Sequence, residues 1–285
     1  MREFFQLLSL LLMLVSAPVF AAETTASPHI STHKLKSVDL EIRYFYKNPS
    51  YGKLIAIINN LPTLQNPDMI ITFISMAIVS HPDYANKIHD HFASYPTNTK
   101  TLLFNSLLAS GHKNIATSIT EKYHFSTGEN FRNCADDLNN LTLPDMIKQE
   151  ETFDVLDILW SAYFATGNSL YLQKLLEYIN ADPVYLIIGY EMLNRDFTCN
   201  MMRKFSKEDA SKNPICEMDD VKKAIKKYSP SNYEKGFKRA DCVRAAIWSM
   251  DSNRHQDPTI DAKVKEIFHK HPDLNYEMKI KKAIR

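Results

Sequence analysis

Four cysteines, Cys134, Cys199, Cys216 and Cys242, have the most definite chemistry open to them in this chain. In an oxidising compartment cysteines persist as disulfides, and four of them allow three pairings. Cys199–Cys216 with Cys134–Cys242 is the preferred set, because the first pair brackets a polar, charged stretch that a bridge would hold. Buried thiols are the alternative. A zinc site is not expected, since no C-x-x-C spacing occurs. His81, His89 and His91, with Asp90, come closest to a ligand set. Residues two apart on a helix point about 200° away from one another, so His89 and His91 cannot share an ion unaided. His269 and His271 have the same geometry. All read as solvent or packing histidines, and no residue is expected to hold a metal or a cofactor.

Glu150, Glu151, Asp154 and Asp157 could in principle supply paired carboxylates for acid–base work. Acidic residues crowding a helix start are explained more simply by the helix dipole. Trp160, Tyr163 and Phe164, with Trp248, could line an aromatic groove for a sugar or peptide, but their helical spacing fits a core. No G-x-S-x-G, H-E-x-x-H, phosphate-binding glycine loop or dinucleotide fingerprint is present. That leaves no residue to nominate as catalytic. The remaining candidates are lysines. Lys222, Lys223, Lys226 and Lys227 fall on one side of a segment whose other side carries Val221, Ile225 and Tyr228. Lys279, Lys281, Lys282 and Arg285 add a basic end. From Met201 onward the chain has 20 basic against 13 acidic residues, although its net charge is only +1. A basic third favours an anionic partner through long-range attraction. A solvated lysine face is the plainer reading of the same residues. Nucleic acid is not the expected partner, because the aromatic interleaving of single-strand binders is missing.

The elements that position these residues read as helices. Glycine is scarce, at six in 285 residues, so the turns of a parallel α/β or β-rich fold are not available. Several prolines instead follow a capping residue: Asn48-Pro49, Asn66-Pro67, Asp182-Pro183 and Asp257-Pro258. A cap side chain accepts an orphan N–H, and proline at the first helical position has no N–H to leave unpaired. Tyr84, Ile88, Phe92 and Tyr95 keep helical spacing. Met69 to Val79 and Val184 to Leu193 are apolar all round, as in helices covered on every side. Val38, Leu40, Ile42 and Tyr44 alternate like a strand, yet Leu35, Val38, Ile42 and Phe45 also form a helical stripe; helix is favoured because no second strand is available to pair.

Leu102–Tyr123 and Ile158–Ile179 align as a degenerate repeat. Ala109-Ser110-Gly111 and Ala165-Thr166-Gly167 fall on matching positions. Glycine can supply the left-handed residue that ends one helix, and the small alanine lets the next approach. Ala162-Tyr163-Phe164-Ala165-Thr166-Gly167-Asn168 resembles the A-Y-x-x-x-G-[DN] turn of tetratricopeptide-type repeats, over some 25 residues per copy. The second helix departs from that pattern, with Leu172 or Gln173 where a small residue belongs, and the 34-residue period is absent. Ala245-Ala246-Ile247-Trp248-Ser249, with Ser252-Asn253, resembles a phrase of exported bacterial helical proteins and implies no activity.

Arg2, the apolar run Phe4 to Val15 and the small residues up to Ala22 have the form of a signal peptide over 1–21, cleaved after Ala21 or Ala22. The run is shorter than the roughly 20 residues a membrane span needs. No later run is long enough without charge or proline, so no span is expected after cleavage. A polar leader follows over 22–33, then a helical region over 34–285, large enough for one domain or two. The expectation is an exported, periplasmic or secreted, all-α array of antiparallel helical hairpins, about a dozen helices in number. Its expected role is non-enzymatic binding or scaffolding, with a protein or peptide held on a helical surface. The alternative is a cell-envelope hydrolase with a site assembled from distant residues.

Overall fold

Helix-start chemistry fixes much of the observed architecture. The computed structural model describes residues 32–61, 67–129, 131–148, 154–205 and 218–284. Among them there is no strand. The α-helices are α1 (Thr32–Arg43), α2 (Tyr51–Asn60), α3 (Pro67–Ser80), α4 (Asp83–His91), α5 (Thr97–Ala109), α6 (Lys113–Tyr123), α7 (Cys134–Asn140) and α8 (Leu143–Lys148). They continue with α9 (Asp154–Thr166), α10 (Ser169–Asn180), α11 (Pro183–Phe205), α12 (Asp219–Tyr228), α13 (Tyr233–Gln256), α14 (Pro258–Lys270) and α15 (Tyr276–Ile284). The fold class is all-α, as expected. The segment expected as signal peptide and the leader up to residue 31 lie outside the described residues.

Two of the expected caps are formed. Asp182 accepts the Val184 N–H at 2.8 Å, and Asp257 accepts the Thr259 N–H at 2.9 Å with Pro258 opening α14. A third start is displaced. Ser50, not Asn48, caps α2, accepting the Lys53 N–H at 3.2 Å. Asn48 is used instead to close the preceding 3-10 turn, its N–H bonding to the Phe45 carbonyl at 3.1 Å. A serine directly before a helical run is as good a cap as an asparagine two residues earlier.

The helical region divides into two compact units, Met1–Asn139 with Ser161–Gly167, and Asn140–Trp160 with Asn168–Arg285. In the first, α3 is buried from Ile70 through Ile78 and packs against α5. Small residues make that crossing close: the Ser75 hydroxyl donates to the Ile71 carbonyl at 2.6 Å and lies 3.2 Å from the Ser106 carbonyl. Phe45 meets Phe73 edge-on at 5.3 Å, and Phe125 contacts both Phe92 and Phe104. Gly111 and Gly167, the matched glycines of the repeat, both adopt left-handed φ, +81° and +68°.

In the second unit α11 and α13 form the principal helix pair. Gly189 permits the approach, since a Cβ there would lie 2.9 Å from the Arg244 backbone N and 3.0 Å from the Ala240 carbonyl oxygen. Val221 and Ile225 of α12 are fully buried among Ile188, Met192 and Ala240, which fixes α12 across that pair. The Arg239 guanidinium, almost wholly buried, stacks over Tyr178 at 4.2 Å and donates from Nη2 to its carbonyl at 3.2 Å. α14 and α15 complete the unit, with the Asn180 amide donating to the Leu274 carbonyl at 2.8 Å.

Candidate functional site

The groups with the most obvious chemistry are dispersed. His81 stacks on Tyr84 at 5.0 Å, His89 pairs with the Ser118 hydroxyl at 3.1 Å, and His91 is at the end of α4. Among the described residues no three His, Cys, Asp or Glu side chains gather as a metal would require. Trp160 and Tyr163 are core residues, and the Trp160 indole donates to the Ser249 hydroxyl at 3.1 Å. Glu150 and Glu151 lie outside the described residues. Asp154 is exposed, whereas one oxygen of Asp157 is buried without a hydrogen-bond partner. Burial, with the Asp154 charge nearby, pushes the Asp157 carboxyl up to about 7.

The cysteines correct part of the expected pairing. Cys134 and Cys242 are thiols, so the Cys134–Cys242 bridge is not formed. Each is occupied within its own unit, Cys134 beside Thr72 and Cys242 beside Tyr178. Burial pushes the Cys134 thiol up, away from the reactive thiolate. Cys199 is disulfide-bonded, and its expected partner Cys216 lies outside the described residues.

A cleft of about 610 Å³ opens in the second unit where α13, α14 and α15 meet. Its centre is Arg254. The guanidinium Nε donates to Asp261 at 3.0 Å and Nη1 to the Tyr276 hydroxyl at 3.2 Å, while Nη2 lies 2.9 Å from Asp261. Nη1 also pairs with Glu277, and the Tyr276 hydroxyl donates to Asp251. Burial alone would lower the Arg254 pKa, but the Glu277 hydrogen bond and the tyrosine hold it above its usual value. Burial raises Asp251 against the Tyr276 hydrogen bond and the arginine charge; the Lys265 hydrogen bond, followed by that from Arg254, holds Asp261 low. Three carboxylates therefore converge on a cation, not on a gap where a substrate bond could sit. The arrangement is a clamp joining three helices. Its residues are spread from 251 to 277, and the one local cue is the i, i+3 spacing of Asp251 and Arg254.

The lysine face is built as the sequence implies. Lys222, Lys223, Lys226 and Lys227 are all exposed, opposite the buried Val221 and Ile225. Asp219 and Asp220 stand in the first turn of α12 and Lys226 and Lys227 in the last, each sign at the favourable end of the dipole. Lys222 pairs with Asp219 at 3.2 Å, and Asp220 is taken by Arg195 at 3.5 Å. Lys226 and Lys227 instead lie over the Tyr233 and Tyr228 rings, at 5.8 and 5.4 Å. Among the described residues no carboxylate pairs with Lys223, Lys226 or Lys227. No family model, curated protein or solved structure matches this chain. One expectation fails here: Tyr228, read as part of the buried stripe, is 53 % exposed. It is the last residue of α12, where the buried stripe gives way to the turn into α13. The result is a patch of four cations, three of them not engaged by an anion among the described residues, with an aromatic ring at its edge.

Proposed function

We propose that the protein is a non-enzymatic binding or scaffold protein, exported, that meets an anionic partner on the outer face of α12. The observation that supports this reading is the contrast between two charged sites. At the clamp each guanidinium nitrogen of Arg254 is engaged by its own chain. On α12 Lys223, Lys226 and Lys227 are held out with no carboxylate among the described residues to neutralise them. Exposed lysines kept unpaired on a helix fixed by its apolar side are suited to attract a counter-charge from outside. The signal-like residues 1–21 support export. The protein or peptide partner expected from the sequence is one anion that would fit. A hydrolase would need a carboxylate pair facing open space, and the carboxylates of the cleft are directed to Arg254.

The test is retention on a sulfated matrix under a salt gradient. The wild type is expected to be retained at low salt and released as the Debye length shortens from about 10 Å at 0.1 M to about 3 Å at 1 M. The variant Lys222→Gln, Lys223→Gln, Lys226→Gln, Lys227→Gln is expected to elute much earlier with unchanged helicity. Equal retention of the two proteins would remove α12 as the binding surface.

A further inference from the structure

We infer that the anionic partner of the α12 face is a layer of acidic lipid headgroups, against which the protein docks peripherally. This rests on the binding-surface reading above. The four lysines occupy positions i, i+1, i+4 and i+5, which places them on one arc of the helix within two turns. The opposite side cannot roll outward, because Val221 and Ile225 are fully buried against α11 and α13. The arc therefore offers cations on flexible stems and no apolar side chain between them. A specific protein interface needs the reverse, an apolar or aromatic centre from which lysine is depleted. Without burial to gain, an acidic protein would have little to hold it there. A lipid surface asks only for clustered basic side chains near its plane, and four to eight of them on an amphipathic helix suffice. Tyr228 belongs to the other side of the helix but closes its last turn, where the Lys227 ammonium lies over its ring at 5.4 Å. Its ring is amphipathic, half exposed and beside Lys227, matching the tyrosines that settle at headgroup level. Docking is peripheral, since among the described residues no helix is long and apolar enough to cross a membrane.

The experiment uses the full exported chain with vesicles of phosphatidylcholine alone and of phosphatidylcholine mixed with phosphatidylglycerol. Co-sedimentation is expected with the second and not the first, and is expected to fall as salt rises. Each exposed lysine near an anionic surface is worth about fivefold in partitioning, so three unpaired ones give roughly a hundredfold. The four-glutamine variant is expected to lose that factor, and Tyr228→Ser a few-fold, both with helicity intact. Equal binding to the two vesicle types, or equal binding by the wild type and the glutamine variant, overturns the inference. If the lysines govern retention on the sulfated matrix while phosphatidylglycerol vesicles are ignored, the lipid occupant is wrong and an acidic protein takes its place. In that case the binding surface itself stands.

Discussion

Replacing Asp157 with asparagine is expected to stabilise the second unit at alkaline pH and to leave it nearly unchanged in acid. Asp157 stands one turn into α9, with one carboxylate oxygen buried and unpartnered. Burial and the Asp154 charge raise its pKa from 3.8 to about 7. Each pKa decade is worth about 1.36 kcal/mol, so ionising this group in the folded chain costs roughly 4 kcal/mol. Because the folded pKa is the higher one, its stabilising contribution is complete below about pH 4 and is lost as pH rises through about 7. Asparagine keeps the shape and removes the charge, though its own buried N–H groups offset part of the gain. A difference of about 2–4 kcal/mol is expected at pH 8 and less than about 1 kcal/mol at pH 5. The two tryptophans, Trp160 and Trp248, both lie in the second unit with Asp157, so urea unfolding followed by their fluorescence reads the relevant transition. A variant no more stable than wild type at pH 8 would refute the argument.

Gly189→Ala is expected to destabilise by about 1–3 kcal/mol in the same assay, since its Cβ would press on the α13 backbone. Arg254→Ala should cost about 3 kcal/mol or more, because Asp261, Glu277 and Tyr276 lose their shared cation; a change under 1 kcal/mol would mean the clamp is only decoration. Non-reducing peptide mapping is expected to find Cys199 joined to Cys216, with Cys134 and Cys242 taking up alkylating agent on unfolding without reduction. Recovery of Cys199 as a thiol under non-reducing conditions would contradict this.

The helical architecture was legible because its signals are local. Asp182-Pro183 and Asp257-Pro258 state helix starts outright, the apolar run at 69–79, broken only by Thr72 and Ser75, gives the buried α3, and Gly111 and Gly167 give the left-handed helix ends. The lysine face was legible for the same reason, since Val221 and Ile225 fix which way α12 turns. Local signals failed where neighbours decide. Asp157 looks like one more acid answering a helix dipole, but α9 begins at Asp154, and Asp157 then shares a face with core Trp160. The Arg254 clamp needs Tyr276 and Glu277 to arrive from another helix, which no spacing reveals. The Cys134–Cys242 pairing followed from counting cysteines, and counting carries no information on distance.

The most direct test of α12 as the binding surface compares two variants of equal net charge. One carries glutamine at Lys222, Lys223, Lys226 and Lys227. The other carries it at Lys87, Lys113, Lys122 and Lys270, exposed lysines on other helices. Retention on the sulfated matrix is expected to collapse for the first and to stay close to wild type for the second. Equal loss in both would mean that binding follows total charge and that α12 is no site at all.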